Sequence, residues 1–345
     1  AGWILLRRGL ARPARALATR LLRATAPARG GDPVLHARLM HLRGMADFRL
    51  GRPRLARRVL RDATALFRAA GDHAGAAEAL NMLGVIEKTA VSLPAAAARF
   101  AEALRLDNVH GRPGRRAQVL LNLAIVKLKM GETAAAEPLL REAQTLQERR
   151  GGAQSLVRVR IALARARLQA GETVAAREEA AAALTAAVEQ RFAREEGLAL
   201  ETLGDVARAE GHAAEARRYF ERALALGEHG APAGDLAVEV RRRLAELTLE
   251  AGDAAAAIGQ LRLVIQAAAA CGEKFEEGAA QHALALACLE LGQWNRAYRA
   301  CRSALATLRD MGAGLAVAGC LLTAARIRFA WWRATGAASG AELPA

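Results

Sequence analysis

The chain has 345 residues, a formal net charge of +15, and 53% hydrophobic but only 4% aromatic residues. Alanine and leucine dominate and nothing points to strands, which suits an elongated all-helical solenoid rather than a compact globule. The longest apolar stretch near the C-terminus, Leu315 to Ala325, is stopped by Arg326 and Arg328, short of the roughly 20 residues that a membrane span needs, and no transmembrane helix is expected.

Residues 1–32 carry seven arginines and no acid before Asp32. That bias imitates a mitochondrial transit peptide. The same stretch also continues a pattern found throughout the chain: Gly9 followed by Ala14, Ala18 and Leu21 looks like the second half of a helical hairpin whose first helix is incomplete. The chain opens on Ala1, so it is read as a fragment or processed product.

From residue 33 the chain repeats itself. A small residue opens each unit at Gly44, Gly84, Ala124, Ala164, Gly204, Ala245 and Ala285, with successive spacings of 40, 40, 40, 40, 41 and 40. Twelve residues later stands Ala56, Ala96, Ala136, Ala176, Ala216, Ala257 or Ala297, and seven after that Ala63, Ala103, Ala143, Ala183, Ala223, Val264 or Ala304. Self-similarity at a fixed period marks a repeat architecture. The slots are small because crossing helices pack closely there, and Leu60, Phe100, Leu140, Phe220 and Leu261 are the bulky neighbours that fill the remaining space. Between the opening and middle slots a breaker, Gly51, Gly131, Gly171, Gly211, Gly252 or Gly292, ends one helix, and Glu132, Glu172 or Asp253 suits the start of the next. Unit two lacks the glycine; there Ser92 followed by Pro94 can cap and start the helix.

These residues resemble the tetratricopeptide repeat (TPR) family, in segments such as LNLAIVKLKMGETAAAEPLLREAQTL (121–146) and LETLGDVARAEGHAAEARRYFERALAL (200–226). The resemblance covers roughly residues 33–330. The lengthened unit and Pro138 are similar to kinesin light chain and to bacterial signalling regulators; the family's usual aromatic in the first helix is missing. The resemblance implies an all-α, right-handed superhelical solenoid of antiparallel hairpins, about seven full repeats plus partial end repeats. Residues 1–32 would be a basic partial repeat, 33–333 the solenoid with a C-terminal capping helix, and 334–345, beginning near Thr335-Gly336-Ala337-Ala338-Ser339-Gly340, a flexible tail or linker.

Chemistry-bearing motifs are scarce. The seven histidines form no His-Glu-x-x-His, and there is no Walker lysine loop and no Gly-x-Ser-x-Gly. Gly312, Gly314 and Gly319 have the wrong spacing for a phosphate loop, and no strand precedes them. Cys271, Cys288, Cys301 and Cys320 match no metal-ligand spacing and read as small buried hydrophobes in a reducing cytoplasm. No catalytic residue, metal or cofactor is assigned, and the chain is read as cytoplasmic and non-enzymatic.

Two surfaces remain as candidates. In the family, the inward face of the first helices contacts the ligand. Residues three and four apart share a face, which places Val85, Leu121, Ile125, Leu128, Ile161 and Leu168 there in units two to four. In units five and six the same face presents Glu201, Asp205, Glu239, Arg242, Glu246 and Glu250. The groove would be apolar in its middle and mainly acidic beyond, suited to a protein or peptide partner with an apolar anchor and a basic flank. The second surface is basic: residues 1–70 hold sixteen arginines against three acids, and Arg52, Arg54, Arg57, Arg58 and Arg61 cluster on the second helix of unit one. It suits an acidic partner, a neighbouring acidic domain, or nucleic acid. The lack of interleaved aromatics disfavours nucleic acid. The function expected is a protein-interaction scaffold, the TPR sensor or adaptor segment of a larger bacterial signalling or transcriptional regulator, with a nucleic-acid-binding solenoid as the alternative.

Overall fold

In the computed structural model, which describes residues 2–7, 9–25, 31–110, 113–230 and 235–335, seventeen α-helices follow one another and no strand occurs among the described residues. They are α1 (Gly2–Arg7), α2 (Ala11–Ala24), α3 (Pro33–Arg49), α4 (Pro53–Ala69), α5 (His73–Ala90), α6 (Leu93–His110), α7 (Pro113–Met130), α8 (Thr133–Arg150) and α9 (Ala153–Gln169). They continue as α10 (Thr173–Glu189), α11 (Ala193–Ala209), α12 (Ala213–Gly230), α13 (Asp235–Glu250), α14 (Ala254–Cys271), α15 (Lys274–Glu290), α16 (Trp294–Met311) and α17 (Gly314–Thr335). The tail beyond Thr335 lies outside the described residues.

The repeat is visible as packing. All 21 ladder positions are buried, with the opening slots on odd-numbered helices α3 to α15 and the other two on the even-numbered helix that follows. Their volume is matched to the residue sixteen places on. A β-carbon on Gly84 would lie 2.6 Å from the Phe100 ring, and one on Gly204 2.4 Å from Phe220. Glycine stands where phenylalanine fills the crossing and also at Gly44, whose β-carbon would lie 2.6 Å from Leu60, whereas alanine suffices at Ala124, Ala164, Ala245 and Ala285. Phe220 in turn anchors a core cluster with Leu200, Ala216, Ala223, Leu236 and Val240, and burying each large side chain of this kind stabilises by about 1.5–3 kcal/mol.

Helix ends follow the local sequence. All six breaker glycines adopt positive φ, from 65° at Gly292 to 90° at Gly252. A second set closes the even-numbered helices at Gly71, Gly151, Gly272 and Gly312, and at the same point after α10 stands Arg191, the one non-glycine with positive φ (57°) among the described residues. The Asp253 side chain caps α14, accepting from Ala256 N at 2.9 Å, while Asp32 and Asp72 cap α3 and α5 through Val34 N and Gly75 N, each at 2.8 Å. Glu172 precedes α10 without a capping bond from its side chain.

Two compact units emerge. Unit 1 comprises residues 1–126 and 141–150; unit 2 comprises 127–140 and 151–345, so the division runs through α7 and α8. The arginine-rich start is part of the first unit's packing: Leu6, Ala11, Ala14 and Ala18 form a cluster with Leu42 and Ala46 of α3. Unit 2 curls back on itself. The end of α7 meets α15, where Lys129 Nζ lies 4.3 Å from the Phe275 ring centroid, and Gly314 at the head of α17 packs against the Met130 carbonyl.

Two helices, α14 and residues Gly314–Ala334 of α17, are long and apolar enough to cross a membrane by length and composition, with mean hydropathy of 1.4 and 1.3. The sequence expectation of no such helix counted only the run before Arg326. The structure shows that α17 continues through Phe329 to Thr335, with only three arginines along that length. Helix α14 spends its apolar side on ladder packing, with Ala257, Leu261, Val264 and Ala268 buried.

Candidate functional site

The inner face of unit 2 is built by the odd-numbered helices α9, α11, α13 and α15 and by the end of α7, and it carries a lattice of ion pairs. Glu201 of α11, fully buried, lies between two arginines: Arg165 Nη2 of α9 at 2.9 Å and Arg243 Nη1 of α13 at 2.8 Å. Arg243 Nε also donates to both carboxylate oxygens of Asp205, at 2.8 and 2.9 Å. One step further along, Arg242 pairs with Glu246 and donates through Nε to Glu276 of α15 at 2.9 Å. Glu246 accepts from Arg208, whose Nε reaches Glu250 at 3.5 Å, and Lys129 Nζ lies 3.7 Å from Glu276.

Burial sets the electrostatics. For Glu246 and Glu276 desolvation acts to raise the carboxyl pKa, but Arg242 at both sites, with Arg208 at the first and Lys129 at the second, overcomes it and holds each at about 2. At Glu201 burial prevails and pushes the carboxyl up, with the charges of Arg243 and Arg165 opposing. Removing a cation from this lattice would leave a carboxylate in a place water reaches poorly.

The lattice changes what the acidic residues mean. Glu201, Asp205, Glu246 and Glu250 are each matched by a cation of the same chain, Arg242 is one of those cations, and Glu239, half-buried, gives its backbone carbonyl to Arg243 at 3.3 Å. The face is close to charge-balanced rather than mainly acidic. Sequence projection included neither Arg165, Arg208 and Arg243 nor Lys129 and Glu276. A signal existed in the period: Arg165, Asp205 and Glu246 stand one residue after successive opening slots, a cation followed by two acids.

The apolar candidates divide by burial. Leu121 (1% exposed), Leu128 and Ile161 are core residues, and Ile161 packs in a cluster with Val157, Ala183 and Ala187. Val85, Ile125 and Leu168 are half-buried and reach the surface. Beside them in unit 1 runs an amide chain that sequence reasoning did not single out: Gln118 Nε2 donates to Asn122 Oδ1 at 3.1 Å, and Asn122 Nδ2 donates to Asn81 Oδ1 at 2.9 Å.

Arg52, just before α4, and Arg54, Arg58 and Arg61 on it are exposed, and Arg57 is half-buried. Arg61 lies 4.0 Å from Glu87 of α5. Arg58 borders a cavity of about 390 Å³ shared with His36, Met40, Arg43 and Asp62, so an acid interrupts the basic cluster. Among the described residues no group of three or more His, Cys, Asp or Glu could hold a metal ion. Cys288, Cys301 and Cys320 are buried thiols and Cys271 is exposed at the end of α14.

No protein-family model and no curated protein sequence matches the chain. Solved structures do. A Rap protein in complex with competence and sporulation factor superposes with a TM-score of 0.65 at 14% identity, over 95% of each chain. The apo quorum sensor NprR from B. thuringiensis gives 0.62 at 12% identity over 89% of this chain and 84% of that one. The tetratricopeptide repeat fold is shared. A signal transduction ATPase with numerous domains from Pyrococcus horikoshii, which has a tetratricopeptide repeat sensor, matches at 0.54 and 14% identity over 94% of this chain, which spans 53% of that protein. At these identities the likeness of the TPR solenoid concerns the fold.

Proposed function

We propose that the chain is a non-catalytic, cytoplasmic protein-interaction scaffold, the sensor or adaptor segment of a larger bacterial signalling or transcriptional regulator, which seats a partner peptide or helix on the inner faces of its odd-numbered helices. The observation that carries this reading is the composition of those faces. Backbone-like amides at Asn81, Gln118 and Asn122, with half-buried Val85 and Ile125 beside them, offer hydrogen bonds and apolar contact to an extended or helical segment. In unit 2, Asp205, Glu239, Arg242, Glu246 and Glu250 would exchange their internal partners for charges of the ligand, with Glu201 buried behind them. The regulators among the similar folds support the role; the partner is inferred from surface chemistry. The exposed arginines of α4 suit an acidic partner or a neighbouring acidic domain.

The test is peptide selection on immobilised protein, followed by titration calorimetry. Leu121→Glu would unfold the core, so the variant is Val85→Glu with Ile125→Glu, both at half-buried positions. Selected peptides should lose at least tenfold in affinity while the circular dichroism melt stays within a few degrees of the parent. Peptides that bind the variant and the parent equally would overturn the assignment to this face.

A further inference from the structure

Helix α17 presents a second apolar stripe on the side opposite its packed face. Cys320, Thr323 and Ile327 are buried, whereas Ala318, Leu322 (65% exposed), Ala325, Phe329 (58%) and Trp332 (52%) are exposed, and Leu315 (61%) is exposed at its tip while its Cβ lies against Gly131 after α7. Their spacing is three, four, three, four, three, the seam of a two-helix coiled coil. Ala325 stands 40 residues after Ala285, in the opening slot of an eighth unit. In each of the seven preceding units that slot is buried under the next helix; here it is open.

The stripe is self-complementary. Laid antiparallel on a second copy about the midpoint between Thr323 and Ala324, Ala318 faces Phe329, Ala325 faces Leu322 and Leu315 faces Trp332. Two of the three pairs set a small residue against a large one, the rule that governs the Gly84–Phe100 and Gly204–Phe220 crossings inside the solenoid. Charge obeys the same symmetry. The helix has three arginines and no acid, and in this register Arg326 falls opposite Leu321, Arg328 opposite Gly319 and Arg333 opposite Gly314. No cation meets its like across the seam. A parallel pairing would stack each arginine on its own copy and put Phe329 against Phe329.

From this symmetry we infer that α17 is a homodimerisation helix, pairing antiparallel across a two-fold axis with α17 of a second copy. A two-fold interface uses one patch twice, and this patch meets that condition in both shape and charge. A single helix pair buries less than the roughly 1,200–2,000 Å² of stable interfaces, so the dimer is weak, with Kd on the order of 10–100 μM. The inference is independent of what the inner face binds.

Sedimentation velocity from about 1 to about 300 μM should show a monomer–dimer equilibrium. Leu322→Glu, at an exposed position beside the axis, should weaken it at least tenfold with unchanged helix content. Orientation is read by cross-linking in a Cys271→Ser background: Ala318→Cys mixed with Phe329→Cys should form a disulfide-linked dimer, while Ala318→Cys alone should not, its two copies lying about 16 Å apart along the axis. A chain that stays monomeric, a dimer indifferent to Leu322→Glu, or efficient cross-linking of Ala318→Cys with itself would overturn the proposal. So would a monomer whose α17 stripe instead binds anionic lipid vesicles and releases them on Leu322→Glu.

Discussion

The two units solve the same problem, an inner face on close-packed odd-numbered helices, with different chemistry. In unit 1 an amide chain runs from Gln118 through Asn122 of α7 to Asn81 of α5, alongside the ion pair of Arg115 with Glu78 between the same two helices. In unit 2 the polar groups form charged pairs, and even Glu201, whose carboxyl burial pushes up, is held by arginines from two neighbouring helices. A neutral amide loses little when a ligand replaces its partner. A buried ion loses much. The first face is thus cheap to rearrange, whereas the second resists any ligand that brings no matching charge.

Removing single partners should expose that difference most strongly. Arg243→Met deprives Glu201 and Asp205 of their shared cation and is expected to destabilise unit 2 by about 3–5 kcal/mol. Asn122→Ala in unit 1 should cost about 1 kcal/mol. Hydrogen exchange, read separately on peptides of α11–α13 and α5–α7, distinguishes the two, and equal losses would mean that the lattice carries no special weight. Packing, by contrast, should be common to both units. Gly84→Ala and Gly204→Ala are each expected to cost about 1–3 kcal/mol in chemical denaturation because the added methyl meets a phenylalanine ring, despite alanine's better helix propensity.

A pH series sharpens the comparison further. Glu246 and Glu276 have folded-state pKa values of about 2, below their unfolded value of 4.5, so the stability they contribute is present above pH 4.5 and is lost as pH falls through that value toward 2. The melting temperature should drop by several degrees between pH 5 and pH 3, and the drop should shrink when both residues are changed to glutamine. The smallest effect is expected at a turn. Arg191 holds a left-handed conformation that its counterparts fill with glycine, and Arg191→Gly should stabilise by about 1 kcal/mol in the same denaturation assay.

The repeat period was legible because close packing is a local demand repeated at fixed spacing. Each of the 21 slots must be small wherever its hairpin lies, so the pattern survives in one dimension. Candidate site residues were only partly legible. Val85, Ile125 and Leu168 reach the surface, but Leu121, Leu128 and Ile161, which have the same residue type and helical phase, are spent on packing between neighbouring hairpins. Glu201, Asp205 and Glu246 looked like an acidic lining because all but one of their cations, Arg242 beside Glu246, stand one repeat away in sequence and become neighbours only when successive units stack.

The sequence by itself determined the helices, their order, the turns at Gly51 to Gly292 and the crossing points, all of which depend on residues close along the chain or one repeat apart. Tertiary structure alone decided which inward residues remain at the surface and that Lys129 meets Glu276 where unit 2 curls back. It also decided that the side of α17 around Ala325 stays open. These depend on the accumulated rotation from one hairpin to the next, a geometric sum over many units that no single repeat encodes.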